Sequence, residues 1–309
     1  MKTDLCAFIS YYRPAAVLRV TGEDALAFLQ GQFTQELRSA SPALCAYGLW
    51  LNQKGKVLAD SFALRDGPGW WLVSYGSQGT AIRERLEAYI IADDVVVEDL
   101  TDSWTGAAVV GSDATAWLQS QGWTLPAKGE WALIEGKMVF RGRRGGDESW
   151  EWLSPVSAVE SPEKWGWNLN RLDAAALDQR RIRAGIPFVP CDVGPADLPN
   201  EAGLEEAAIS YSKGCYLGQE VMARLKSMGQ VRRRLLRVQG LGAAPTCPAA
   251  LFAGAKKVGE LRSAVVDEAG QGFVGLAMIS LLGLEGTEGL SLETNGAPSV
   301  QVFRDSSSS

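Results

Sequence analysis

The sequence contains no histidine. That absence excludes a Ser-His-Asp triad, a Cys-His pair, a histidine metal ligand and an imidazole proton shuttle, leaving proton transfer to carboxylates, thiols, amines, phenols or water. Cysteine is scarce too. Cys6, Cys45, Cys191, Cys215 and Cys247 are odd in number, widely spaced and never arranged as C-x-x-C, so neither a disulfide framework nor a zinc or iron–sulfur knuckle is written in the chain, and no metal is expected. No apolar run reaches the roughly 18 residues of a membrane span, and Met1 to Tyr12 has no long apolar core. A cytoplasmic protein that meets no membrane is the expectation. Basic residues are outnumbered, Lys+Arg 30 against Asp+Glu 36, and the net charge of -6 argues against a chain-wide nucleic-acid footprint.

What the chain does have is length and apolar content: 309 residues with 46% hydrophobic and 21% charged suffice for about two domains and a full core. Tryptophan is abundant, and Trp70, Trp71, Trp150 and Trp152 sit in strand-like runs where large aromatics fill cores. Val17 to Val20 reads as a strand feeding a helix that opens at Thr21-Gly22-Glu23-Asp24 and carries Leu26, Leu29, Phe33 and Leu37 on one face. Extended stretches at Ala46 to Leu51, Lys56 to Leu64 and Trp70 to Ser74, punctuated by Asn52-Gln53-Lys54-Gly55 and Asp66-Gly67-Pro68-Gly69, read as an antiparallel meander. A helix from about Gln78 to Ile91 and a strand at Val95 to Val97 follow, and a similar order recurs more weakly to Arg141. Strands and helices mix without regular parallel alternation, which makes the class α+β.

Leu169 to Arg183 reads as a helix stopped by Gly185-Ile186-Pro187. Beyond it, Cys191 to Ser210 carries Asp192, Asp197, Glu201, Glu205 and Glu206 with no base, whereas Lys213 to Arg237 carries seven bases against Glu220 alone. From Leu235 onward short strands between Gly- and Pro-rich turns suggest a separate β-barrel or sandwich, and Gly270-Gln271-Gly272-Phe273-Val274-Gly275 between two extended segments reads as a hairpin turn and not a dinucleotide loop. The expected organisation is an α+β region over 1–230, with two subdomains meeting near 100–105, a C-terminal β-barrel over 231–305 and a disordered tail over 306–309.

The densest candidate for chemistry is Lys213-Gly214-Cys215-Tyr216-Leu217-Gly218-Gln219-Glu220 and the helix-like segment through Arg224. A thiolate is stabilised by cations and by helix N-terminal amides, and Lys213, Arg224 and the helix start offer both. A buried structural cysteine beside two turn glycines is the alternative. These eight residues match the K-G-C-Y-x-G-Q-E signature, by which the chain resembles the YgfZ-type folate-binding proteins, relatives of the glycine-cleavage T-protein that assist iron–sulfur proteins and influence tRNA modification. The resemblance extends to Val20 to Leu29, to Leu51 to Lys56, to Arg183 to Pro187 and to Leu198 to Leu204. It implies a T-protein-like fold, with mixed α+β domains around a central hole and a C-terminal β-barrel.

The resemblance further implies tetrahydrofolate or a derivative in that hole. Glu201, in the position of the T-protein's Pro-x-Glu-Ala-Gly motif, then holds the pterin edge, with Asp60 and Asn52 nearby, and Cys215 is the functional thiol. The chain departs from the T-protein at Ala59-Asp60, where that enzyme has two consecutive acids. Losing one reduces the acid-base and electrostatic help available to aminomethyl transfer. The leading expectation is a folate-binding accessory protein for iron–sulfur cluster assembly or repair, and thereby tRNA modification, with iron–sulfur client or assembly proteins as partners. A tetrahydrofolate-dependent aminomethyl or other one-carbon transferase is the alternative, and RNA contact through Arg232, Arg233 and Arg234 a third reading.

Overall fold

The computed structural model describes residues 6–146, 148–158, 169–229 and 231–303. The tail expected to be disordered at 306–309 lies outside them. Strand β1 (Phe8–Tyr12) is followed by β2 (Ala16–Thr21), α1 (Ala25–Gln32), β3 (Cys45–Leu51), β4 (Val57–Asp66), β5 (Gly69–Ser74), α2 (Gly79–Glu87) and β6 (Val96–Asp99). All but β1 of these strands form one antiparallel sheet in the order β3-β4-β5-β2-β6, with the meander turns where the Gly-containing tetrapeptides lie. One face of this sheet buries Trp50, Trp70, Leu18 and Leu72 against Phe28, Leu29, Ile82 and Leu86 of the two helices. Helix α1 stops at Gln32 instead of reaching Leu37, because Phe33 bridges to Trp50 and packs against its ring at 4.7 Å. Asp24 takes the N-cap position without capping its own helix, since its carboxylate accepts the Asp94 N–H at 2.9 Å.

The second unit runs through β7 (Trp104–Val110), α3 (Ala114–Ser120), β8 (Trp131–Ile134), β9 (Lys137–Arg141), β10 (Ser149–Pro155), β11 (Asn170–Arg171) and α4 (Ala174–Arg183). Its sheet has the order β11-β1-β7-β10-β9-β8. The chain's first strand therefore serves the second sheet, pairing antiparallel with β7 from Phe8↔Val110 to Tyr12↔Gly106. The helix expected from Leu169 begins at Ala174, where the Asp173 carboxylate accepts the Ala176 N–H at 2.8 Å, while Asn170 and Arg171 pair with β1. Trp150 and Trp152 fill the core of this unit, as the strand-like runs around them required. The two sheets meet through Phe62, Leu64 and Val73 on one side and Phe140, Met138 and Leu153 on the other.

A connecting segment adds a 3-10 turn (Pro199–Ala202), α5 (Glu205–Ala208) and α6 (Gln219–Met228), whose Leu204, Tyr216 and Met222 pack on Leu49, Leu51 and Val57 of the β3–β4 hairpin. The last sheet comprises β12 (Arg233–Leu241), β13 (Ala249–Ala253), β14 (Lys256–Val266), β15 (Gly272–Ser280) and β16 (Val300–Val302), with α7 (Leu281–Leu284) between β15 and β16. Its order is β13-β14-β15-β12-β16, and Leu290 and Ser291 bridge to Val300 and Phe252, so a two-residue segment links the two edges and curls the sheet into a half-barrel. The Gly270 to Gly275 motif lies in the β14–β15 hairpin, where the Asp267 N–H donates to Gly272 O at 2.9 Å. Among the described residues no helix is long and apolar enough to cross a membrane.

Candidate functional site

The three sheets and α4 enclose a cavity of about 470 Å³. Tyr12 enters it from β1, Tyr47 from β3, Asp60 from β4, Tyr75 from the end of β5, Arg143 and Arg144 from the β9–β10 turn, Arg181 from α4 and Arg262 from β14. Asp60 is only 6% exposed. Its Oδ1 accepts the hydroxyls of Ser74 and Ser77, each at 2.8 Å, and its Oδ2 accepts the Tyr47 hydroxyl at 3.0 Å. Burial pushes the Asp60 carboxyl above the usual carboxylate range, against the opposing pull of these hydroxyls and of Arg143.

Beside Asp60 the wall is built of guanidinium groups on phenol rings. Arg143 stands 4.3 Å from the Tyr47 ring centre, and Arg144 lies between Tyr12 and Tyr75 at 3.9 and 3.8 Å. Behind them Glu151, fully buried, accepts Arg144 Nε at 3.2 Å and the Tyr12 hydroxyl at 2.6 Å. Burial raises the Glu151 carboxyl and the adjacent Arg144 charge opposes that rise. Sequence reasoning missed this wall. The signal was present in Arg141-Gly142-Arg143-Arg144-Gly145-Gly146, a glycine-flanked basic turn between two strands.

Of the expected folate residues, the structure brings Asp60 alone to the cavity. Glu201 lies elsewhere: its Oε2 accepts the Leu198 N–H at 2.8 Å, closing the 3-10 turn, and its two oxygens take Arg233 Nε at 3.0 Å and Nη2 at 2.8 Å. A carboxylate so saturated by a fork-to-fork pair has little left for a pterin edge. Asn52 is a turn residue whose Oδ1 accepts the N–H groups of Lys54 and Lys56 at 2.9 and 3.0 Å. Ala59 also needs correction, because strand alternation turns it away from Asp60 into the apolar core beside Trp50. The acid that survives is the one that faces the cavity.

The signature segment forms a second locus, outside the cavity lining. Lys213 does not face the thiol: it is 6% exposed and donates to Phe33 O at 2.7 Å and Gln35 O at 2.8 Å, and burial lowers its ammonium to about 8. Arg224 pairs with Glu220 at 3.7 Å, both largely in solvent. Gly218 caps α6 with φ of +87°, and a Cβ there would lie 2.8 Å from Asn52 O; a Cβ on Gly55 would lie 2.8 Å from the Met222 methyl. The hairpin tip and the start of α6 are thus one interlocked unit, with Gln219 N–H donating to Tyr216 O at 3.1 Å. Tyr216 is buried, while Gly214 and Cys215 are exposed, so the loop presents its thiol to solvent. The Arg232, Arg233 and Arg234 triplet divides, with Arg233 engaged by Glu201 and Asp197 and its two neighbours exposed. Cys191 and Cys247 also line the cavity.

Residues 14–124 match the GCVT N-terminal domain family. The iron-sulfur cluster assembly factor IBA57, mitochondrial, of Homo sapiens is 31% identical over 289 residues, covering 85% of this chain and 74% of the relative. The tRNA-modifying protein YgfZ of Cronobacter sakazakii is 24% identical over 242 residues, covering 74% and 69%. In fold, the glycine cleavage system aminomethyltransferase T from Bartonella henselae superposes with a TM-score of 0.83 at 18% identity, over 98% of this chain and 86% of that one. With the T-protein architecture, the K-G-C-Y-L-G-Q-E loop and this level of identity over most of both sequences, the chain belongs to the YgfZ/IBA57 family of GCVT-like proteins.

Proposed function

We propose that the protein binds a reduced folate in the central cavity and acts as an accessory factor in iron–sulfur cluster assembly or repair, and through it in tRNA modification, with Cys215 as the functional thiol. The observation that carries this reading is the pairing of a buried acid with a guanidinium–phenol wall in one cavity. A pterin presents a donor edge and a conjugated face, and the glutamate tail presents carboxylates. Asp60 would take the donor edge, since its Oδ2 receives only the Tyr47 hydroxyl among the described residues and a carboxylate oxygen accepts about two bonds. Arg143 would take the tail, since Arg181 is already held by Asp178, Asp192 and the Ile186 carbonyl and Arg262 by Asp197 and Glu260. Arg144 Nη2 and Ser263 Oγ, buried in the residues lining the cavity, have no hydrogen-bond partner among the described residues, which suits a site awaiting a polar ligand. The folate would supply a one-carbon carrier, and the chain's own groups hold and orient it.

Tetrahydrofolate binding by calorimetry tests the cavity. Asp60→Asn keeps the shape but puts a donor toward a donor edge, and an affinity loss of about tenfold or more is expected; unchanged affinity would remove folate from this site. For the thiol, Cys215→Ser should fail to restore iron–sulfur enzyme activities in cells lacking the protein, although the exposed position predicts normal folding. Full restoration would end its functional role. A second reading, tetrahydrofolate-dependent aminomethyl transfer, is favoured by one observation: Asp60, the retained acid, faces the cavity. Turnover of an aminomethyl-charged carrier protein at about 1 per second or faster would favour it over the accessory role.

A further inference from the structure

A separate pocket of about 530 Å³ opens between the 3-10 turn, α5, α6 and the start of β12, and none of its lining belongs to the central cavity. Its polar groups are incompletely satisfied. Asn200 Oδ1, Glu205 Oε2 and the Tyr211 hydroxyl are buried atoms without a hydrogen-bond partner among the described residues. The Asn200 amide stands beside the Tyr211 hydroxyl and favours its anion, while the Asn200 Oδ1 atom itself has no partner among the described residues. Acceptor atoms without partners, grouped in one pocket, suit a ligand that brings hydrogen-bond donors.

The chemistry of those groups defines the ligand. A carboxylate oxygen, an amide oxygen and a phenol together ask for several hydrogen-bond donors in one flat array. The apolar side chains of Ile209 and Leu225 and the Tyr211 ring provide walls for a ring system. Cations stand on the other side: Lys226 Nζ lies 4.3 Å from the Tyr211 ring centre, and the charge of Arg234 is felt at Glu205. A lone ammonium would satisfy the acceptors but leave the walls and the cations without a role. The geometry points to a binding site for an aminopyrimidinone ring that carries an anionic tail, with Glu205 and Asn200 on the donor edge and Arg234 and Lys226 on the anion. That ring is shared by guanine nucleotides and by folates. The site goes beyond the function proposed above and stands or falls independently of it.

Calorimetry on the full chain with guanosine 5′-monophosphate and with 5-formyltetrahydrofolate separates the two sources. Asp60→Asn serves as the background for the folate arm, so that the central cavity contributes least. Glu205→Gln turns one acceptor into a donor and is expected to weaken the responding ligand by about tenfold or more. Arg234→Gln, at an exposed position that should not disturb folding, is expected to weaken guanosine 5′-monophosphate but not guanosine. A guanosine 5′-monophosphate affinity that falls in both variants assigns the pocket to a nucleotide; a residual folate affinity in Asp60→Asn that falls in both assigns it to folate. If neither probe responds to Glu205→Gln and Arg234→Gln, the site is overturned, whatever Asp60→Asn does to folate in the cavity.

Discussion

Lys213 shows how one side chain in a signature can be buried and structural while its neighbour faces solvent. Its ammonium makes two hydrogen bonds to the carbonyls of Phe33 and Gln35, yet desolvation by burial favours the neutral amine and brings its pKa down to about 8. The unfolded chain, with an ordinary lysine near 10.5, holds this proton over a wider pH range. Between about 8 and 10.5 the unfolded state therefore binds more protons, and this group's contribution to stability rises with pH through that window. Urea unfolding of the protein and of Lys213→Met across pH 7 to 10.5 is expected to show the difference moving in favour of the lysine as pH rises. A constant difference would mean that the ammonium is well solvated. The same side chain fixes the loop so that Cys215, two residues on, points outward.

At the scale of elements, the hairpin tip at 52–55 and the start of α6 explain why the signature carries two glycines of different character. Gly218 has φ of +87° and no room for a Cβ beside Asn52 O, whereas nothing lies within 4 Å of a Cβ on Gly214. Gly218→Ala is expected to cost about 2–3 kcal/mol by chemical denaturation, and Gly214→Ala less than about 0.5. Strand alternation gives a second contrast. Ala59 faces Trp50 and the apolar core, so Ala59→Asp should destabilise by about 3 kcal/mol without creating aminomethyl transfer, since its charge would be buried away from the cavity. A stable, newly active variant would show that the strand faces are assigned wrongly. The meander of β3, β4 and β5 was readable because its turns are local, written in Asn52 to Gly55 and Asp66 to Gly69. The early end of α1 was not, because it depends on Phe33 meeting Trp50 across the sheet.

Across the whole molecule, three acids of the stretch Cys191 to Ser210 are paired within the fold, by Arg233 of the basic stretch Lys213 to Arg237 and by Arg181 and Arg262 outside it. Asp192 is bound by Arg181 at 2.6 Å, and Asp197, fully buried, by Arg233 at 3.2 Å and Arg262 at 3.5 Å. Sequence showed the imbalance but not these partners, because Arg181 and Arg262 lie outside both stretches. The cavity was illegible for the same reason: Tyr12, Asp60, Arg144, Arg181 and Arg262 come from every part of the chain, and only the resemblance to the T-protein pointed to a hole. Because Tyr12, Asp60 and Arg262 stand on three different sheets, a ligand there should stabilise the sheets together. Tetrahydrofolate at about 100 times its dissociation constant adds about 2.7 kcal/mol if it binds the folded state alone. The tryptophans of the described residues all lie with the first two sheets, so fluorescence is read from those, while amide exchange in β15, whose residues are nearly all buried, follows the third. Both probes should show the gain, and Asp60→Asn should diminish both. A gain confined to fluorescence, with β15 exchange unchanged, would place the ligand on the first two sheets and outside the cavity they share with the barrel.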